Sequence, residues 1–173
     1  MTKSFFKTKI VGISGEKWWE MLISARGYKL HFIGNDTYSV DHKGRVFIPA
    51  KFRSLLTVDD EDSFYLTRGF ETSLILFPLN RWNEFIENLK DKKYSQKRIR
   101  DAIRAFSYGA ECLSMDSQGR VVLPKHLREY AKIEDDVFFL GAIDKVELWS
   151  PSVFEEYSKD KGDINDLFSM LGL

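Results

Sequence analysis

The sequence predicts an α+β protein, mainly β, in which two similar halves form one pseudo-twofold mixed barrel. Three observations support this expectation. Hydrophobic residues make up 43% of the 173 positions, which is enough for a sizeable buried core. One 14-residue motif occurs twice, and short apolar runs alternate with turn residues in both halves. Because a unit of about 40 to 50 residues buries too little surface to be stable alone, the two copies are expected to share a core.

The repeated motif occupies residues 40–53 and 115–128, an offset of 75 positions. The first copy reads VDHKGRVFIPAKFR and the second reads MDSQGRVVLPKHLR. Six of the 14 positions are identical, and four more exchange one apolar residue for another. Chance does not readily produce this agreement, so each half is interpreted as one copy of the same unit.

The elements of each unit follow from its residues in order. The Asp-x-x-Gly-Arg segment predicts a tight hairpin turn between two short strands, because Asp accepts turn N–H groups and Gly adopts positive φ. The apolar triplets Val-Phe-Ile and Val-Val-Leu predict the strands that follow. Proline suits the first turn of a helix, so short helices are expected over residues 49–56 and 124–131.

Two further strands and a second helix complete each ββαββα unit. Apolar runs predict strands at residues 64–66 and 74–77, and again at 138–140 and 146–149. Pro78 and Pro151 are expected to end the last strands and to open helices over residues 79–89 and 152–157. The chain is thereby divided into an extension (1–31), a first repeat (32–89), a linker helix (90–110), a second repeat (111–157) and a C-terminal tail (158–173).

The charge and cysteine content limit the classes of function. Lys plus Arg and Asp plus Glu are both 26, so the net charge of zero gives no global sign of a nucleic-acid partner. The charge is uneven, however, with +3 over residues 1–40, +4 over 41–128 and −7 over 129–173. Any cationic surface must therefore be local. One cysteine and no long apolar run predict a cytoplasmic protein without a membrane partner.

The two Asp-x-x-Gly-Arg motifs, with the segment Phe106-Ser107-Tyr108-Gly109-Ala110-Glu111 before the second, resemble the MraZ family of bacterial transcriptional regulators. The resemblance extends from Phe32 to Tyr157. It implies two AbrB/SpoVT-type units in a swapped-hairpin or double-psi barrel. It also implies a homo-oligomeric ring that binds double-stranded promoter DNA at repeated boxes upstream of the division and cell-wall gene cluster, as a nucleoid-associated repressor. Residues 1–31 are additional to the family pattern, and Ile33 stands where some members carry arginine.

The resemblance places DNA-facing loops at residues 41–45 and 116–120. An arginine there could bind guanine O6 and N7 as a fork or clamp a phosphate, whereas the alternative is an internal salt bridge that closes the turn. The first turn carries His42 and Lys43, and the second carries the neutral pair Ser117 and Gln118. The predicted DNA contacts are Lys43, Arg45 and Arg120. Four residues are assigned to shaping the turns: Asp41, Gly44, Asp116 and Gly119. For Arg53 and Arg128 the expected role is a favourable interaction with a helix C-terminus.

Two helical segments leave alternatives open. Residues 90–104 carry a net charge of +5, and an apolar stripe is formed by Ile99, Ile103 and Phe106. The basic side is interpreted as a solvated face, a subunit contact or a second DNA contact. In the tail, helical spacing relates Ile164, Leu167, Phe168 and Leu171. That stripe either docks on a neighbouring subunit or packs on its own body.

Enzymatic chemistry finds little support in the residues. Neither Cys112 nor the histidines (His31, His42 and His126) show nucleophile or metal-ligand spacing, and Cys112 is expected to be a small buried residue. We therefore predict no catalytic residue, cofactor, metal or small-molecule substrate. Two alternatives to a DNA-binding regulator remain: a ring-forming interaction scaffold, and a hydrolase that uses Asp41 and Asp116 as a carboxylate dyad.

Overall fold

The computed structural model describes residues 31–90, 96–160 and 162–172. The predicted extension therefore lies outside the described residues apart from His31, as do residues 91–95 of the predicted linker. The first half contains β1 (Asn35–Ser39), β2 (Arg45–Phe47), α1 (Ala50–Arg53), β3 (Ser63–Arg68), β4 (Leu74–Pro78), α2 (Leu79–Lys90) and α3 (Lys97–Ser107). The second contains β5 (Glu111–Ser114), β6 (Arg120–Val122), α4 (Lys125–Tyr130), β7 (Asp136–Ala142), β8 (Lys145–Trp149), α5 (Pro151–Lys159) and α6 (Ile164–Met170).

The strands form one six-stranded sheet, in the order β1-β7-β8-β4-β3-β5, and one two-stranded sheet of β2 and β6. Every recorded strand pair is antiparallel. The first strand of each repeat pairs with the third strand of the other, β1 with β7 and β5 with β3. The predicted class, α+β and mainly β, is confirmed. The finer expectation of a closed swapped-hairpin or double-psi barrel stays a prediction.

The predicted tight turn between two short strands forms in both repeats, and a backbone hydrogen bond crosses each turn, from Asp41 N–H to the Arg45 carbonyl and from Asp116 N–H to the Arg120 carbonyl. The flanking strands do not continue this pairing as a hairpin, because β1 pairs with β7, β5 pairs with β3, and β2 pairs with β6. We call the antiparallel pair β2 and β6 the ribbon. Its register places Val46 opposite Val121, with Arg45 opposite Val122 and Phe47 opposite Arg120. Local sequence could not distinguish pairing within a repeat from pairing between repeats, since both use the same backbone groups.

The main core lies between the ribbon and one face of the six-stranded sheet. The inward side of the ribbon contributes Val46 and Val121, which are buried, and α1 and α4 contribute Phe52 and Leu127. Alternate residues of the sheet strands face this core, as a period of two requires: Leu66, Leu74, Leu76, Val137, Phe139, Val146 and Leu148. The two repeats therefore share one core, which explains why neither needs to be stable alone.

The opposite face of the sheet is covered by the longer helices. Phe77 of β4 packs with Trp82 and Phe85 of α2 and with Phe106 of α3. In the second repeat, Trp149 packs against α5. Because Ile75 and Phe77 alternate with the core residues of β4, α2 and α3 lie on the far side of the sheet from the ribbon. The basic face of α3 is thus separated from the two turns by the sheet.

Several local predictions need correction. The helices after the ribbon strands are shorter than predicted, and α5 begins at Pro151 and extends to Lys159. Cys112 is exposed rather than buried, because it lies on the opposite face of β5 from Leu113, which is buried in the main core. Phe168 and Leu171 are 47% and 74% exposed, whereas Leu167 is half-buried, so the predicted stripe of the tail is not buried as a whole. No helix among the described residues is long and apolar enough to cross a membrane.

Candidate nucleic-acid interface

The first turn, residues 41–45, is organised by the carboxylate of Asp41. Its Oδ1 accepts hydrogen bonds from the backbone N–H groups of Lys43 (2.8 Å) and Arg45 (2.9 Å). Its Oδ2 accepts a hydrogen bond from Nε of Arg45 at 2.7 Å. The turn is closed by Gly44, whose backbone N–H donates to the Asp41 carbonyl and whose φ is +78°. One short acidic side chain therefore holds both the backbone of the turn and the arginine that leaves it.

The second turn, residues 116–120, repeats this arrangement. Asp116 Oδ1 accepts hydrogen bonds from the N–H groups of Gln118 (3.0 Å) and Arg120 (2.9 Å). Asp116 Oδ2 accepts a hydrogen bond from Arg120 Nε at 2.9 Å, and Arg120 Nη2 lies 2.7 Å from the same oxygen. Gly119 has a φ of +81°. The internal salt bridge, one of the two readings that the sequence left open, is present in both turns.

These contacts stabilise the ionised form of both aspartates. For Asp41, the backbone N–H of Arg45 is the largest cause, and the pKa is lowered to about 2. For Asp116, the side-chain hydrogen bond from Arg120 is the largest cause, and the pKa is again about 2. Each carboxylate has its own arginine, and both pKa values are low. A catalytic dyad that shares a proton would instead raise one of the two pKa values, so this geometry argues against the hydrolase alternative.

Each turn also rests on an arginine from the opposite repeat. A Cβ added at Gly119 would overlap Nη1 of Arg53, and one added at Gly44 would lie 3.5 Å from Nε of Arg128. The Nε atoms of Arg53 and Arg128 are buried and have no hydrogen-bond partner among the described residues. Beyond the helix-end role predicted for them, these two arginines pack beneath the other repeat's turn. The glycines allow this close approach because they lack a side chain.

The ribbon brings the two turns to one surface. Arg45 and Arg120 are the first residues of β2 and β6, and both point away from the core, since the residue after each is buried. In the antiparallel register they lie two residues apart along the ribbon, roughly 7 Å. Lys43 is exposed beside Arg45. Two of the three predicted DNA contacts, Arg45 and Arg120, therefore lie on the same face of the ribbon.

Two apolar residues of this surface were not singled out in the sequence. Phe47 and Val122 are 43% and 53% exposed, whereas Val46 and Val121 are 0% and 1% exposed. The Arg120 guanidinium lies over the Phe47 ring, 5.8 Å from its centre. Because successive side chains of a strand point to opposite faces, the residue that follows each buried valine is expected on the exposed face. This alternation is the sequence signal that could have identified both residues. No pattern in the sequence pointed to the packing of Arg53 under Gly119.

The described residues offer little for other kinds of site. No group of three or more His, Cys, Asp and Glu side chains that could hold a metal ion occurs among them. His126 Nε2 lies 3.1 Å from the Gly109 carbonyl oxygen, and its Nδ1 lies 3.7 Å from Glu111 Oε1. This histidine therefore links α4 to the segment before β5. The surface around the ribbon remains the strongest candidate site.

Comparison with known proteins points to the same family that the motifs resemble. The profile of the family described as "MraZ protein, putative antitoxin-like" matches residues 31–104 and 106–166. A "Transcriptional regulator MraZ" from Caldanaerobacter subterraneus subsp. tengcongensis is 44% identical over 127 residues, 73% of this chain and 86% of that protein. Another from Acetivibrio thermocellus is 38% identical over 146 residues, 82% of this chain and 99% of that protein. The chain therefore belongs to the MraZ family.

Proposed function

We propose that this protein is a transcriptional regulator, acting as a repressor, that binds promoter DNA through its two Asp-x-x-Gly-Arg turns and the ribbon between them. The observation that carries the proposal is the presence of Arg45 and Arg120 on one exposed face of one two-stranded ribbon. The names of the relatives support the regulatory role. The repeated boxes and the division and cell-wall gene cluster are the targets that the family resemblance implies.

The dimensions of the ribbon suit the DNA major groove. Two strands lie about 4.8 Å apart, and the major groove, about 12 Å wide, admits a two-stranded β-ribbon. A guanidinium has five N–H donors, and hydrogen bonding from Nε to Asp41 leaves the outer edge of Arg45 available for guanine or phosphate. The carboxylate then orients the arginine before DNA arrives, which reduces the entropy lost on binding.

The aspartates also oppose binding, and Lys43 compensates for part of this effect. With a pKa of about 2, Asp41 is fully ionised at neutral pH and repels phosphate. Lys43 is exposed and carries no recorded side-chain contact within the described part of the chain. It is therefore available for a phosphate contact, and it makes the first turn the principal DNA loop.

The surface far from the ribbon supports assembly into a ring of identical subunits. The basic helix α3 lies on the far face of the sheet, and residues 129–173 carry a net charge of −7. The exposed residues Phe168 and Leu171 lie in or next to α6 in that acidic region. A head-to-tail contact between a basic and an acidic surface closes into a ring when its rotation permits. Such a ring would engage several boxes at once and raise the affinity by effective concentration.

The exposed apolar residues of the tail also favour a second candidate, a ring-forming scaffold without a DNA role. Both candidates require the assembly, but only the first requires Arg45. In the scaffold, the exposed ribbon face would have no ligand. A substitution in the ribbon therefore distinguishes the two candidate functions, whereas a substitution in the tail does not.

A mobility-shift assay on the DNA directly upstream of the protein's own coding sequence tests the proposal. Arg45→Ala should abolish the shift, while light scattering shows an unchanged assembly. Arg81→Ala is the matched control, because Arg81 pairs with Glu84 on α2, on the opposite face of the sheet. Equal affinity of the Arg45→Ala variant and the wild-type protein would overturn the assignment. Wild-type binding that is insensitive to added salt and to loss of the boxes would favour the scaffold.

The assembly is tested separately by light scattering. Phe168→Ser should lower the molar mass of the particle, because it removes an exposed apolar contact from the proposed interface. Val58→Ser is the control, since Val58 is 89% exposed and lies outside the helices that would meet. A ring that is unaffected by the Phe168 change would place the subunit contact elsewhere.

A further inference from the structure

An apolar pair lies in the middle of the cationic ribbon face. Phe47 is 43% exposed and Val122 is 53% exposed, and neither contributes to the main core. The residue before each of them is fully buried, so the strands place these two side chains outward. Apolar side chains between arginines suit a ligand that combines negative charge with an apolar group.

The register pairs each apolar residue with an arginine from the other turn. Phe47 is directly opposite Arg120, and Val122 is directly opposite Arg45. Arg120 lies over the Phe47 ring and is also held by Asp116, so the ring and the guanidinium form one preorganised unit. A ligand that reaches Arg120 on this face must also meet Phe47.

The major groove of DNA presents this combination of groups. Guanine offers two acceptors to an arginine, and thymine offers a 5-methyl group to an apolar side chain. An apolar surface of a second protein chain would instead have to bury Arg45, Arg120 and the exposed Lys43. The cationic border therefore favours nucleic acid as the occupant.

We propose that Phe47 is a specificity-determining residue that contacts the 5-methyl group of a thymine when the ribbon enters the major groove. This inference rests on the proposed function, since it requires DNA at the ribbon. It adds a readout of thymine to the readout of guanine by arginine. Phe47 carries this role in preference to Val122 because its ring extends further from the strand.

The test uses the upstream DNA fragment amplified either with thymidine or with deoxyuridine, which pairs with adenine but lacks the methyl group. The wild-type protein should bind the uracil fragment about threefold to fivefold more weakly, as expected for one buried methyl group. Phe47→Ala should weaken binding to the thymine fragment and bring the ratio of the two affinities to about one. Phe70→Ala should keep the wild-type ratio, because Phe70 is an exposed phenylalanine (71%) that lies outside the ribbon.

Each outcome separates this inference from the proposed function. If the wild-type protein binds both fragments equally, the thymine contact is wrong while the DNA-binding function stands. If it binds neither fragment, the proposed function itself fails. A ratio that persists in the Phe47→Ala variant would indicate an effect of uracil on DNA shape, and it would overturn the assignment to Phe47. Phe47→Leu keeps an apolar side chain and should give an intermediate ratio, should the alanine variant be poorly folded.

Discussion

The first and second turns share a backbone frame but present different surfaces. In both, an aspartate Oδ1 accepts two backbone N–H groups and a glycine adopts a φ near +80°. Between these residues, the first turn exposes His42 and Lys43, while the second exposes Ser117 and Gln118. The frame depends on two residue types only, so the exposed positions can differ without loss of the turn. The shape and the charge of the turn are therefore set by separate residues of the same motif.

The largest expected effect comes from the two arginines. Arg45→Ala should weaken promoter binding more than Arg120→Ala, because Asp116 already engages both Nε and Nη2 of Arg120. A lost guanine contact costs about 1 to 3 kcal/mol of binding free energy, so Arg45→Ala, which should bind more weakly than Arg120→Ala, should lose about tenfold or more in affinity. Titrations followed by fluorescence anisotropy at a fixed salt concentration measure the DNA affinities of both variants. Equal losses would mean that the two turns contribute alike.

A smaller effect on stability should distinguish the glycines. Gly44→Ala and Gly119→Ala each force a side chain into positive φ, which costs about 1 to 2 kcal/mol of unfolding free energy. Gly119→Ala should cost more, since its Cβ would overlap Arg53, whereas the nearest atom at Gly44 is the Leu123 carbonyl oxygen at 3.3 Å. Urea unfolding gives both values.

A double-mutant cycle separates the clash from the backbone strain. When Gly119→Ala is combined with Arg53→Ala, the part of the lost unfolding free energy that comes from the overlap with Arg53 should be recovered. The part that comes from the positive φ should remain. The matched cycle of Gly44→Ala with Arg128→Ala should show weaker coupling. Additive effects in the first cycle would contradict the packing of Arg53 beneath the second turn.

Exchange of the exposed residues tests the charge difference directly. His42→Ser with Lys43→Gln gives the first turn the neutral surface of the second, and should reduce the slope of log Kd against log salt by about one per contacted phosphate. The reverse exchange, Ser117→His with Gln118→Lys, should increase that slope. Binding measured from low to moderate salt reports both. An unchanged slope in the first variant would remove Lys43 from the DNA contacts.

The smallest effect concerns acid. Both aspartates have a folded-state pKa of about 2, below the ordinary value of 3.8, so their stabilising contribution is present above about pH 4 and is lost as the pH falls toward 2. Arg120→Ala should raise the pKa of Asp116 clearly, because the hydrogen bond from the Arg120 side chain is the largest cause of the lowered pKa. Arg45→Ala should raise that of Asp41 less, since a backbone N–H dominates there. NMR titrations of the carboxyl groups in the two variants measure both pKa changes. Equal changes for Asp41 and Asp116 would contradict this difference between the turns.

Much of the site could be predicted from the sequence because the turns depend on local contacts. Asp41 and Arg45 are four residues apart, and their hydrogen bonds lie within the motif itself. The choice between a DNA contact and an internal salt bridge was not decided there, since both use the same arginine. Phe47 was missed because its exposure depends on which face of the ribbon the core covers.

By itself, the sequence determined that the chain has two copies of one unit, that each contains an Asp-x-x-Gly-Arg turn, and that short strands and helices surround this turn. These features come from neighbouring residues, whose conformational preferences act over a few positions. The tertiary structure alone decided that β2 pairs with β6, that Arg45 and Arg120 share a face, and that α3 lies behind the sheet. Those outcomes depend on hydrogen bonds and burial between residues about 75 positions apart, which local preferences do not encode.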